Sequence, residues 1–347
     1  MAMTPRERVL AAMNKETLDR PPVAIFTQSA TLGQMDKTGA AWPMAHKDAQ
    51  TMATLAAAQA DVFGFECARA SFCLTAEAER LGCKVAVEKR DAAPMIKSHP
   101  FKFDCMSGEY DDPASLMDPK DFMKEGRVKV VADACSILKK THGEKLAIVA
   151  GTTGPFTLAG HMVSTENLIF GMMMAPDEVS KWVKAVTPIC KVYAQALVDA
   201  GADIVQMSEP SASSDMLAPD MFEMAAGEAV SKSLAATEGG WGNVLHICGD
   251  TYQILDMMAG TGVKGISIEE KVDPFKAVEA VGKKTVLVGN VGSVKPLYQG
   301  TPAEVKEGTL NSCKAGFDII SSGCGIAPAT SNENMEAMVA AVKGFHR

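Results

Sequence analysis

Residues 243–250 read Asn243-Val244-Leu245-His246-Ile247-Cys248-Gly249-Asp250. A short apolar run ends in polar side chains, a glycine and an aspartate able to cap a helix. The same unit recurs on both sides, with apolar runs at 203–207, 265–269, 285–289 and 318–321. Helix-forming stretches near 219–236, 274–282 and 302–315 separate them. These runs are continuous rather than alternating, as expected of strands covered on both faces in a parallel sheet. Upstream, Val23-Ala24-Ile25-Phe26 and the runs at 61–66 and 146–150 bring the count to eight. Eight strand–helix units predict an α/β chain of the (β/α)8 TIM-barrel class.

Two additions to the barrel are legible. The opening Thr4-Pro5-Arg6-Glu7 has a cap, a first-turn proline and the glutamate of a capping box, so an N-terminal helical extension is expected. The stretch around 67–130 carries Lys84-Val85-Ala86-Val87 together with Pro94, Pro100 and Pro113. It reads as an inserted hairpin and loop region laid over the barrel mouth. No linker divides the chain, so residues 1–347 are read as a single domain.

Composition narrows the function classes. Hydrophobic residues make up 47% and charged residues 22%, ordinary for a folded globule. A net charge of −8 without a basic run argues against nucleic acid and anionic membranes as partners. The start has no signal-peptide core, and no apolar run reaches the roughly 18–20 residues that span a bilayer. A soluble, cytoplasmic protein is expected. Nine scattered cysteines without an export signal predict reduced thiols, so a Cys/His cluster is read first as metal-binding or catalytic.

The polar residues collect at strand ends. Glu209 follows the fourth strand, His246 and Cys248 end the fifth, and Glu269 and Glu270 end the sixth. Asn290 ends the seventh, and Cys324 lies just past the eighth. That face is where such barrels hold their active sites, which makes Glu209 and Asn290 candidate substrate contacts. Alternate strand residues point the same way, so His246 and Cys248 can converge. Cys324, between Gly323 and Gly325, can meet them across the lumen. One imidazole and two thiolates suit a single Zn²⁺ with a fourth position open to exchange. His246, Cys248 and Cys324 are therefore both the expected metal ligands and the catalytic centre. Taken singly, each would read as a buried structural residue; three at matching strand ends favour the metal.

Several of these stretches carry a family resemblance. The opening from Thr4 to Ala12, continued by Asp19-Arg20-Pro21-Pro22-Val23, resembles uroporphyrinogen-decarboxylase-like proteins. Val244-Leu245-His246-Ile247-Cys248-Gly249, Ser267-Ile268-Glu269-Glu270-Lys271, Val288-Gly289-Asn290-Val291 and Gly323-Cys324-Gly325-Ile326-Ala327-Pro328 resemble the methylcobamide:coenzyme M methyltransferases of methanogens. The resemblance covers nearly the whole chain. It implies a zinc-dependent methyltransferase of methanogenesis, moving a methyl group from a methyl-Co(III) corrinoid protein to the thiol of coenzyme M. No Asp-x-His-x-x-Gly corrinoid signature is present, so the methylcobamide is expected on a separate partner. The order His-x-Cys, Glu, Cys is also similar to the zinc site of cobalamin-independent methionine synthases. That similarity implies Glu270 as the fourth ligand, with Glu269 as its competitor. Another thiol acceptor such as homocysteine is one alternative. A metal-free uroporphyrinogen-decarboxylase-type lyase is the other; decarboxylases carry arginines near the N-terminus, whereas Phe26-Thr27-Gln28-Ser29-Ala30-Thr31 has none.

Overall fold

The computed structural model describes residues 3–234 and 237–346. Its strands, in chain order, are β1 (Cys67–Ala70), β2 (Lys84–Ala86), β3 (Met95–Ser98), β4 (Phe103–Asp104), β5 (Glu109–Tyr110), β6 (Ala147–Thr153), β7 (Ile204–Ser208), β8 (Gly242–Ile247), β9 (Gly265–Ile268), β10 (Val286–Val291) and β11 (Ile319–Ser322). Among the described residues seven of these form one parallel sheet, ordered β1-β6-β7-β8-β9-β10-β11. The two remaining pairs, β2–β3 and β4–β5, are antiparallel hairpins within the inserted region.

The eighth stave is irregular. Residues 22–29 run between the two edges of the sheet and meet the β11 side through single parallel bridges, Val23 to Ile320 and Ser29 to Ile326. Ala24 N–H donates to Ile320 O at 2.9 Å, and Ile320 N–H donates to Pro22 O at 2.9 Å. On the other edge Glu66 N–H donates to Val23 O at 2.8 Å. These bonds close the barrel without a continuous ladder. Proline at 21 and 22 cannot donate, which keeps the start of this stave from pairing regularly.

One expected strand is misplaced by the sequence reading. The apolar run at 61–66 does not form a strand. The helix Ala49–Phe63 continues through it, with Phe63 buried, and ends on Gly64 in the left-handed conformation at φ 83°. The strand follows at Cys67–Ala70, so the insertion begins only after Ala70. A helical stripe and a short buried strand look alike over six residues.

Side chains sort into an inner and an outer core. The helices pack outside the sheet on one large apolar cluster. A smaller cluster fills the lumen with Ala24, Phe26, Cys67, Val149, Ile204, Val244, Val288 and Ile319. Val9, Ala12 and Met13 of the helix Pro5–Met13 belong to it, so the N-terminal extension plugs the barrel floor. Both bonds of the expected Thr4–Glu7 capping box are present. The plug is tied down by Glu66, 1% exposed on its side chain, which pairs with Arg8 and with Arg20 and accepts Val23 N–H at 2.9 Å. Among the described residues no helix is long and apolar enough to cross a membrane.

Glu66→Ala should take one carboxylate from Arg8, which keeps Asp19, and from the half-buried Arg20, and cost about 3 kcal/mol of stability, the low end for breaking a buried pair. The urea midpoint measures it; an unshifted midpoint would show that barrel closure does not depend on this carboxylate.

Candidate functional site

His246 lies on β8 in register with Ser267 on β9. Its ring is buried, and Nδ1 faces Ser267 Oγ at 3.0 Å and Ser267 O at 3.2 Å. The carbonyl can only accept, so it favours the tautomer with the proton on Nδ1. Nε2 is thereby left as an electron-pair donor, and it points at Cys248 Sγ, 3.2 Å away. Cys248 is two residues further along, on the same side of the strand. The Cys248 and Cys324 sulfurs stand 3.1 Å apart, and both thiols are free. The ligand atoms of His246, Cys248 and Cys324 all lie within 4.8 Å of one another. The structure thus brings together the three residues singled out from sequence.

Two loops hold the cysteines in place. Past Cys248, Gly249 takes a left-handed turn at φ 85°, and its N–H donates to the Glu269 carboxylate. Ser213 Oγ donates to Cys248 O at 2.6 Å. On the other wall Thr27 Oγ1 donates to Cys324 O at 2.8 Å, and Gly323 N–H donates to Val291 O at 2.7 Å. A Cβ on Gly323 would sit 2.6 Å from Glu270 Oε2 and 3.0 Å from Glu270 N. Only glycine lets the β11 loop approach the β9 loop this closely.

The two glutamates at the end of β9 divide their work. Glu269 is committed to Gly249 N–H. Glu270 packs its carboxylate against Gly323, and its buried Oε2 has no hydrogen-bond partner. Burial raises the pKa of Glu270, and the negative charges of Glu269 and Cys324 push the same way. Glu270 is outside the 4.8 Å cluster itself. Beside it Lys271 Nζ pairs with Asp215 Oδ2 at 2.6 Å on the rim.

The thiols share a proton. The hydrogen bond from Cys248, aided by His246, pulls the Cys324 pKa down to about 4 against the opposing effect of burial. Cys248 moves the other way, because its hydrogen bond to Cys324 and its burial both favour the protonated form. The shared hydrogen bond thus favours the thiolate form at Cys324 and the thiol form at Cys248. By contrast, burial lifts Cys67, Cys83 and Cys135 to about 12, as inert core thiols.

Glu209 and Asn290, expected as substrate contacts, both bond to protein groups in this structure. Glu209 is fully buried and accepts Phe156 N–H at 2.9 Å and Thr157 N–H at 2.6 Å, capping the helix Pro155–Val163. Burial pushes its pKa up to about 7 in spite of those bonds. Asn290 Nδ2 donates to Val272 O at 2.9 Å, and Asn290 Oδ1 accepts from Ser312 Oγ at 3.0 Å. Helix ends and loop carbonyls claimed both side chains, which strand position alone does not reveal. His46 is 1% exposed, packed against Trp42 and Phe72. Sequence reasoning missed Ser267 and Thr27; strand parity with Glu269 could have found the former, and nothing local marks the latter.

An N-terminally plugged barrel with an imidazole–dithiol cluster at its C-terminal mouth is the class this fold and site define. The uroporphyrinogen decarboxylase (URO-D) family model matches residues 4–345. The chain is 36% identical to the methylcobamide:CoM methyltransferase MtbA of Methanosarcina acetivorans, over 99% of this chain and 98% of that one. It is 33% identical to the methylcobamide:CoM methyltransferase MtaA of Methanosarcina barkeri, over 97% of each. A solved methyltransferase structure from Methanosarcina mazei superposes with a TM-score of 0.91 at 34% identity, covering 98% of both chains. The chain belongs to the URO-D family, within its methylcobamide:CoM methyltransferase branch.

In metal-free protein, iodoacetamide at pH 6 should alkylate Cys324 ahead of the partly exposed Cys105 and Cys248. A lowered pKa keeps the thiolate down to about pH 4, so the selectivity should vanish only as pH falls through that value. Peptide mapping that finds Cys105 labelled first would contradict the shared-proton picture.

Proposed function

We propose that this chain transfers a methyl group from a methylated corrinoid protein to the thiol of coenzyme M at a zinc ion held by His246, Cys248 and Cys324. The observation that carries this reading is the convergence of one imidazole and two thiols within 4.8 Å at the barrel mouth. The names of the relatives, methylcobamide:CoM methyltransferases, supply donor and acceptor.

The donor set fits the ion. Nitrogen and thiolate sulfur are the ligands zinc prefers, and the lowered pKa of Cys324 favours its thiolate form. When bound, zinc would deprotonate an incoming thiol and keep it as a nucleophilic thiolate. His246 contributes Nε2 because Ser267 occupies Nδ1. Cys248 gives up its remaining proton to become the second anionic ligand. Glu270 is the residue we assign to the fourth position before the thiol arrives. Its unpartnered Oε2 beside Gly323 supports it over Glu269, which Gly249 holds.

The transfer balances simply. The substrate thiol loses its proton, its sulfur forms a bond to the methyl carbon, and the carbon–cobalt bond breaks with both electrons kept by cobalt, taking Co(III) to Co(I). Glu269 and Thr27 hold the two cysteine loops while this happens. The inserted region would cover the mouth on the side of the irregular stave. There Phe72, Pro94, Ile96 and His161 line a recess of about 470 Å³ with Gln28. Gln28 O in turn accepts Ile326 N–H, two residues past Cys324.

Purified protein should contain close to one zinc per chain and methylate 2-mercaptoethanesulfonate with free methylcobalamin as donor. Cys248→Ala and Cys324→Ala should each lose the metal and lower activity more than about 100-fold. That exceeds the roughly 10–100-fold cost of altering a residue behind a ligand. Circular dichroism should stay that of the folded barrel. A metal-free double variant with full activity would refute the reading, and preferential methylation of homocysteine would refute the acceptor. Ser267→Ala should weaken zinc binding about tenfold in a chelator competition; unchanged affinity would show that Ser267 does not fix the His246 ring.

A further inference from the structure

Arg69 on β1 is a buried charge that neither the fold nor the proposed reaction accounts for. It is 1% exposed. Cys67 packs in the lumen cluster, so Arg69, two residues on, faces the lumen as well. Its guanidinium donates from Nε to Phe26 O at 2.7 Å, from Nη1 to Ser71 O, and from Nη2 to Gln206 Oε1 at 2.9 Å. All three acceptors are neutral. Among the described residues no carboxylate forms an ion pair with it. Glu77 is within electrostatic reach, but its Oε1 is spent on Thr153 N–H at 2.7 Å and burial raises its pKa. Burial lowers the pKa of Arg69 itself to about 10, which leaves it a cation at neutral pH. A buried cation without a bonded counterion is costly, so an anion elsewhere in the lumen is the natural compensation.

The structure shows where that anion would be. Gln206 continues the chain of bonds, donating from Nε2 to Ser208 Oγ at 2.8 Å. Ser208 stands in register with His246. The thiolate centre therefore sits one step above a fixed positive charge. On the reading above, a divalent ion with two cysteine thiolates and a substrate thiolate sums to a formal charge of about −1. The Arg69 Nε, Nη1 and Nη2 groups are each bonded to protein acceptors, so its action on the site would be through the field.

We propose that Arg69 is the internal countercharge of the thiolate centre, a positioning residue that favours the anionic sulfur of the substrate at the Cys248–Cys324 cluster. This role rests on the thiolate-centre reading and names a residue that makes it work.

The decisive variant is Gln206→Glu. It gives Arg69 a bonded carboxylate in place of an amide oxygen already at 2.9 Å, cancelling the field while keeping the packing. In cobalt(II)-substituted protein, the sulfur-to-cobalt charge-transfer absorption reports thiol binding directly. Titration with 2-mercaptoethanesulfonate and with uncharged 2-mercaptoethanol should give Kd values raised roughly tenfold for both in Gln206→Glu. A unit charge acting through an effective dielectric near 20 has an effect of that order. The thermal midpoint should stay level or rise. Arg69→Met should show the same loss of thiol binding, and Arg69→Lys should bind both thiols as the wild type does. A folded Gln206→Glu protein with unchanged Kd values would overturn the role. So would a loss confined to the sulfonate thiol, which would make Arg69 a head-group receptor. Wild-type protein whose sulfur-to-cobalt charge-transfer absorption does not increase with either thiol would overturn the thiolate centre itself, and this role with it.

Discussion

Closure of the sheet is the constraint on which this molecule depends. Seven regular strands leave two open edges, and an open edge is a row of unpaired backbone groups. Residues 22–29 satisfy those groups with a few bonds to Ile320, Ile326 and Glu66. That stave also supplies Thr27, whose hydroxyl holds the Cys324 carbonyl, and Gln28, whose carbonyl holds Ile326. The same eight residues therefore complete the wall and set the loop that carries one of the two thiols. The Glu66 carboxylate secures the arrangement from below by gripping Arg8, Arg20 and the Val23 N–H.

The barrel concentrates its polar groups in the upper lumen, where each unpaired group is expensive. Most are paired through neutral hydrogen bonds: His246 to Ser267, Gln206 to Ser208, Asn290 to Ser312. Three exceptions lie at or below the thiols. Glu270 keeps an unpartnered oxygen, Cys324 is shifted toward its thiolate form, and Arg69 has no bonded counterion. A site that is incomplete on its own is what a bound ion and a transient thiolate require. The lower lumen is filled by Val, Ile, Ala and Phe side chains and has no such features.

Glycines at 249 and 323 do different jobs in this setting. Gly249 provides a left-handed turn that presents its N–H to Glu269. Gly323 provides room, since any side chain would displace the Glu270 carboxylate. The different contacts of Glu269 and Glu270 follow from these two glycines.

The continuous apolar runs from 146 onward determined the parallel barrel, because strands buried on both faces have a recognisable composition. The same local logic determined the pairing of His246 with Cys248, since a spacing of two on a strand leaves no freedom of direction. The capping box at Thr4 was equally local. Tertiary structure alone decided the rest. It continued a helix through 61–63 because the packed Phe63 and the Gly64 turn outweighed the strand-like run. It diverted Glu209 and Asn290 to helix ends and loop carbonyls that lie far away in the chain. It set Arg69 beneath the thiols through partners 43 and 137 residues away. Short-range periodicity encodes which way a side chain points; which group it meets there is settled only when distant segments close around the same lumen.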